Sequence, residues 1–252
     1  MTDKQALVKY CLRLGDNSLV LSYRLSEWCR NAPILEEDLA LTNFAFDMIG
    51  RTRLLLNYAG ETEGEGRTDD DLAYRRGERE FYNNLIVELP NGDFAATIAR
   101  QLFISAFEFY FFTALQRSTD TTLSEIAAKT LKEVKYHLAH AADWVIRLGD
   151  GTEESHNRMQ KAVDELWMFT GELFEMDDVD SLLIGLGIAV NLAELKPKWY
   201  DKVSRVLSEA TLLVPKDGYV QTGSRKGIHT EYLGHILSEM QFLQRAYPDA
   251  KW

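Results

Sequence analysis

Apolar residues recur three and four positions apart along most of this chain, the period of a helix with a buried face. Ser18 to Arg30 reads as a short helix after the break Gly15-Asp16-Asn17, anchored by Leu19, Leu21, Leu25 and Trp28. Ala32-Pro33 starts a long helix to about Tyr58, with Pro near the first turn and Glu36, Glu37 and Asp38 at its positive end. Gly60 to Asp71, rich in Gly and acids, reads as a loop. Asp93 is the expected N-cap of a helix to Arg117, whose two aromatic stripes (Phe94, Phe109 and Phe112; Phe103, Phe107 and Phe111) predict burial on both sides. A fourth long helix runs from about Thr122 to Gly149 with the stripe Leu123, Ile126, Thr130, Leu131, Val134, Leu138, Ala141, Val145 and Leu148. Asn157–Phe174, Leu192–Leu213 and Gly227–Tyr247 are further helices. The period-2 alternation of strands is never sustained. The expected fold is one all-α domain over residues 1–252, a four-helix bundle with additional C-terminal helices.

Composition narrows the function classes. A net charge of −11 with no Lys/Arg cluster predicts no nucleic-acid binding. Only two cysteines, Cys11 and Cys29, fit a reducing compartment and give no disulfide framework. Met1 to Tyr10 lacks the apolar core of a leader, and no run of about 18 apolar residues is seen. A cytoplasmic chain with no membrane span is therefore expected.

The candidate chemistry is a broken metal motif. Di-iron bundles use Glu-x-x-His, because three residues of separation put both ligands on one inward helical face. His137 stands on the 122–149 helix, but the residue three before it is Val134, and the acid is one place early at Glu133. On the 33–58 helix, Arg51 stands where a second His would belong and Met48 where its Glu would be. A guanidinium stays protonated and repels a metal cation. The other long helices offer Ser18, Ser22 and Glu27, and Ser105 and Glu108. A second cluster, His229-Thr230-Glu231 with His235, has ligand types at helical spacing but reads first as a solvated or capping group. Gly223-Ser224-Arg225-Lys226-Gly227 reads as a helix start, with a phosphate site as the alternative. His140 and His156 are expected at the surface. Three readings stay open: a subunit without chemistry of its own, a metalloenzyme using Glu133, His137 and the His229–His235 cluster, or a bundle with a storage or scaffolding role.

Four stretches resemble one family: Leu12–Cys29 (LRLGDNSLVLSYRLSEWC), Leu89–Phe103 (LPNGDFAATIARQLF), Lys132–Leu138 (KEVKYHL) and Gly223–Arg245 (GSRKGIHTEYLGHILSEMQFLQR). They are similar to the C-type subunits of bacterial ring-1,2-phenylacetyl-CoA epoxidases, of phenylacetate catabolism. The resemblance implies a ferritin-like fold and a structural, non-catalytic role. The partner it implies is a paralogous A subunit that carries the di-iron centre, with further small and reductase subunits in the complex. No cofactor is expected in this chain. In the register of the catalytic paralogue, the lost ligand positions are Ser18, Met48, Arg51, Ser105, Val134 and His137, where only His137 keeps a ligand type. Substrate-contacting segments, at the edge of a shared phenylacetyl-CoA site, would map to Glu80, Phe81, Tyr82 and Asn83, and to Ser181, Leu182 and Leu183.

Overall fold

Thr2 opens the first helix with a reciprocal cap. Its hydroxyl accepts from Gln5 N at 3.3 Å, and the Gln5 side chain accepts from Thr2 N at 2.9 Å. Helix α1 then runs Asp3–Ser26 in the computed structural model, which describes residues 1–216, 218–248 and 250. The break expected at Gly15-Asp16-Asn17 is absent. Gly15 is interior to the helix, and a Cβ there would meet Leu56 Cδ2 at 2.7 Å. Its role is close packing of α1 on α2, and chain reversal is not needed there.

Helix α2 spans Leu35–Glu63, so Pro33 lies outside it, ahead of the N-cap Ile34. It also outruns the expected end near Tyr58. Gly60 stays helical, in a place where any Cβ would lie 2.3 Å from Arg67 O, and Gly64, at φ 72°, ends the helix in the left-handed region. The expected loop holds another helix, α3 (Asp69–Tyr74), started by a capping box between Thr68 and Asp71.

Helix α4 (Phe94–Leu115) begins at the expected N-cap, where Asp93 accepts from Ala96 N at 2.9 Å. Of its two aromatic stripes, Phe103, Phe111 and Phe112 are buried, whereas Phe94, Phe107 and Phe109 are half-buried. Among the described residues it is the one helix long and apolar enough to cross a membrane, against the expectation that no such run exists; 72% of that stretch is buried. Helix α5 (Thr121–Gly149) is capped by Asp120 and buries Leu123, Ile126, Thr130, Val134, Leu138, Ala141 and Val145.

The remaining segments break where sequence periodicity ran on. Asn157–Phe174 becomes α6 (Glu153–Thr170) and a 3-10 turn, Gly171–Phe174. The short helix α7 (Asp178–Gly185), capped by Asp177, was not anticipated. Leu192–Leu213 becomes a 3-10 turn and α8 (Lys196–Glu209). Gly227–Tyr247 divides into α9 (Glu231–Met240) and α10 (Phe242–Ala246). The division falls at Gln241, whose buried amide donates to the carbonyls of Ala73 and Arg76, both at 3.1 Å.

The chain is all-α, as expected of the ferritin-like class, with no strand among the described residues. Residues 1–90 with 223–252 form one compact unit, and residues 91–222 form another. The first is the α1–α2 hairpin with α3, α9 and α10. The second is the α4–α5 hairpin, against which α6 and α8 pack.

Candidate functional site

The residues at the expected metal positions are all buried in their own units. On α1 and α2, Ser18, Met48 and Arg51 are each at most 3% exposed. Arg51 Nε donates to Ser18 Oγ at 2.8 Å, and that hydroxyl in turn donates to Leu14 O at 3.1 Å. The structure thus brings Ser18 and Arg51 together, while Met48 fills apolar space a turn earlier. On α4 and α5, Ser105, Val134 and His137 are likewise interior. No group of three His, Cys, Asp or Glu spaced to hold a metal occurs among the described residues. Neither Ser18, Met48 and Arg51 in the first unit nor Ser105 and Val134 in the second carry the carboxylate or imidazole that di-iron ligand positions use; His137 alone has a metal-binding ring. We expect Ser18→Ala to cost about 1–3 kcal/mol, because it leaves a buried guanidinium N–H without its acceptor. Urea unfolding measures this; a change of about 0.5 kcal/mol or less, as at an ordinary surface site, would contradict it.

The segment Glu80–Asn83 is held by two polar hubs that spacing did not reveal. The first is Asp16, wholly enclosed in the middle of α1. Its carboxylate accepts from Arg76 Nη1 at 3.0 Å, from Arg76 Nη2, and from Tyr82 N at 2.9 Å. Arg76 also donates to Leu72 O and, at 2.8 Å, to Glu80 O, and its guanidinium lies 4.2 Å from the centre of the Phe81 ring. Asn17 continues the pattern, accepting from Asn84 N at 2.8 Å. The residues read as a turn are therefore clamps on a strap 60 residues or more away in sequence.

The second hub is Glu88, also fully buried. It accepts from Asn83 Nδ2 at 2.9 Å, from Thr230 N at 2.9 Å and Thr230 Oγ1 at 2.6 Å, and pairs with His229 Nδ1 at 2.5 Å. The other ring nitrogen of His229 donates to Phe81 O at 2.8 Å. Burial alone would push the His229 pKa down, but the Glu88 hydrogen bond and charge outweigh it and hold the imidazole above its ordinary value. With an acceptor at each nitrogen, the charged imidazolium is the form this site favours. Both nitrogens are thus occupied, which removes His229 from the metal cluster proposed with Glu231 and His235. Glu88 instead ties His229 and Thr230 to the first unit's interior, just ahead of α9, and the fully enclosed His229 is not solvated. The Gly223–Gly227 stretch is a 3-10 turn (Ser224–Lys226), and α9 begins later, at Glu231, after its N-cap Thr230. Gly227, at φ 65°, lets the turn press on the strap: a Cβ there would lie 2.3 Å from Arg79 O.

Within the strap, Phe81 and Asn83 are completely buried, Tyr82 is half-buried and Glu80 is exposed. Lys9 Nζ sits 4.8 Å from the centre of the Tyr82 ring. Tyr82 and Lys9 line an open cleft of about 450 Å³ with Lys4, Gln5, Glu63 and Glu65. In the other unit, Ser181 is exposed and its hydroxyl donates to Asp177 O at 3.0 Å; Leu182 is half-buried and Leu183 fully buried. His140 and His156, expected at the surface, are both half-buried, and His156 Nδ1 donates to Gly149 O at 2.7 Å.

Two comparisons place this architecture. The C-type subunit of the 1,2-phenylacetyl-CoA epoxidase of Escherichia coli (strain K12) is 51% identical over 246 residues, covering 98% of this chain and 99% of that one. The family model described as phenylacetic acid catabolic protein matches residues 1–252. The chain belongs to the phenylacetic acid catabolic protein family.

Proposed function

We propose that this chain, acting as one domain over 1–252, is the non-catalytic C-type subunit of a cytoplasmic multicomponent monooxygenase that epoxidises the aromatic ring of phenylacetyl-CoA. The observation that carries the reading is the 51% identity with the E. coli C-type subunit, which runs over almost the whole of both chains. The reading assigns the di-iron centre and the oxygen chemistry to a catalytic A subunit, and electron supply to a reductase subunit. No step is routed through iron in this chain. The buried Arg51–Ser18 bond supports that division, since a protonated guanidinium occupies a position that would have to bind a cation.

The expected role of this chain is to support its partner. An exposed apolar row on α2, with Leu35 70% and Phe46 66% exposed and Leu39 and Ile49 on the same side, favours a covered rather than a solvated surface. Of the segments assigned to the substrate edge, Glu80, Tyr82, Ser181 and Leu182 keep accessible atoms and remain candidate contacts. Phe81, Asn83 and Leu183 act by holding the others in place.

Co-expression with the paralogue that has two intact Glu-x-x-His motifs tests the reading. The expected product is a stable heteromer whose iron stays with the paralogue when the two are separated. This chain alone should melt at the same temperature with and without a chelator. Stoichiometric iron in the isolated chain, lost with a drop of many degrees on chelation, would point instead to a metalloenzyme.

A further inference from the structure

A cavity of about 680 Å³ opens in the second unit between the end of α6, the Gly171–Phe174 turn and the start of α8. Its floor is indole: Trp167 and Trp199 are at most 8% exposed, with ring centres 5.7 Å apart and planes inclined at 38°. Phe174 stands edge-on to Trp199 at 5.5 Å and Tyr200 edge-on to Trp167 at 6.4 Å. Trp199 satisfies its only polar atom by donating Nε1–H to Phe103 O at 2.8 Å, so the small part of it that borders the cavity is purely aromatic.

The outer wall is Tyr219 and Val220. It is held in place by Gln221 N donating to Met168 O at 2.9 Å, and by Gly171, where a Cβ would collide with Val220 at 2.6 Å. The wall is therefore packed closely against the turn, at a glycine where any side chain would push it away. Lys196 is the only charged side chain lining the cavity among the described residues. It stands in the first turn of α8, a helix of 14 residues whose N-terminus has no side-chain cap. The helix end and the ammonium add positive potential at one rim of an otherwise aromatic space, in a chain of net charge −11.

We propose that this cavity is a binding site for a planar aromatic anion of one or two rings. The ring would lie against Tyr200 and Tyr219, over the buried Trp167–Trp199 pair, and the acid group would lie at Lys196. A volume of this size suits such a ligand, since small-molecule pockets span about 300–1,000 Å³ and combine apolar walls with few polar groups. The proposal does not depend on the subunit reading, because every group it uses lies within the unit of residues 91–222.

The test uses the full chain and two probes of nearly the same shape: 8-anilinonaphthalene-1-sulfonate, an aromatic anion, and neutral N-phenyl-1-naphthylamine. Both should bind at one shared site and quench tryptophan emission. Lys196→Glu should weaken the anion about tenfold and the neutral probe by less than about twofold, because only the former meets the reversed charge. Ala193→Trp, on the cavity wall, should abolish both at an unchanged melting temperature. Equal affinity of the anion for wild type and Lys196→Glu would overturn the proposal. So would unaltered binding of both probes to folded Ala193→Trp, which would place the dyes on an exposed apolar row such as that of α2. Should Ala193→Trp fail to fold, the Lys196→Glu comparison decides alone.

Discussion

Replacing Asp16 with Ala is expected to cost about 3–5 kcal/mol, the usual result of leaving one member of a buried ion pair without the other. Both side chains are at most 3% exposed, and Arg76 would keep its charge. The Tyr82 amide would lose its acceptor at the same time. Asp16→Asn should cost less, since it keeps an oxygen for Tyr82 N. The double change Asp16→Leu with Arg76→Met should recover much of the loss, because a well-packed apolar pair often matches a buried ionic one. Denaturant unfolding of wild type, Asp16→Leu, Arg76→Met and the double mutant gives the coupling directly; a near-additive double mutant would show that the pair does not act as a unit. The functional consequence lies one step on. Asp16 and Arg76 fix the backbone at Glu80 and Tyr82, so the assembled complex with Asp16→Asn should show a raised KM for the CoA ester with kcat less affected. A fall in kcat at unchanged KM would place this strap away from the substrate.

The His229–Glu88 pair should produce a stability that fades with rising pH. His229 has a folded-state pKa above its unfolded value near 6.5. Below that unfolded value both states are protonated and the full contribution of the pair is present. As pH climbs through the elevated folded value, the imidazolium loses its proton and the contribution disappears. The difference in unfolding free energy between wild type and His229→Gln should therefore be largest near pH 5.5 and shrink by about pH 9. At the acid end we expect a difference of about 3 kcal/mol, because Glu88 is left buried with amide and hydroxyl donors but no cation. Urea midpoints of both proteins across that range check it. Parallel pH profiles would mean that His229 is not charged in the folded protein.

The sequence made the α4–α5 hairpin legible in nearly final form. Its helices are long, their apolar stripes are continuous, and Asp93 and Asp120 are caps whose mechanism is local. The helical class followed from the same periodicity. The start of α1 is written in the sequence too, since Thr2 and Gln5 have capping-box spacing, but the turn-like Gly15-Asp16-Asn17 mimics a helix break within it. That triplet shows why local chemistry misleads here. Gly15 answers to Leu56, and Asp16 and Asn17 to residues 60 to 67 positions on, so no neighbouring residue reports their role. Glu88 was hidden for the same reason, with His229 lying 141 residues away. One signal was available: an acid set among Leu85, Ile86, Val87 and Leu89 must be exposed or paired, and burial forces pairing. The metal positions divide in the same way. Val134 and Met48 could be read as non-ligands from chemistry alone, whereas the Arg51–Ser18 bond needed the packing of α1 on α2.

The proposed division of labour between this chain and a catalytic partner is tested most directly by reconstitution. The complex would be assembled with wild type, Glu133→Ala or His137→Ala, and phenylacetyl-CoA consumption followed with reductase and reduced nicotinamide. We expect both variants to sustain turnover within about threefold of wild type, since a difference of that size is well under 1 kcal/mol in barrier height. Omitting this chain should abolish turnover. A fall of about a hundredfold or more, equivalent to nearly 3 kcal/mol, in a complex that still assembles and retains its iron would mean that this chain takes part in the chemistry.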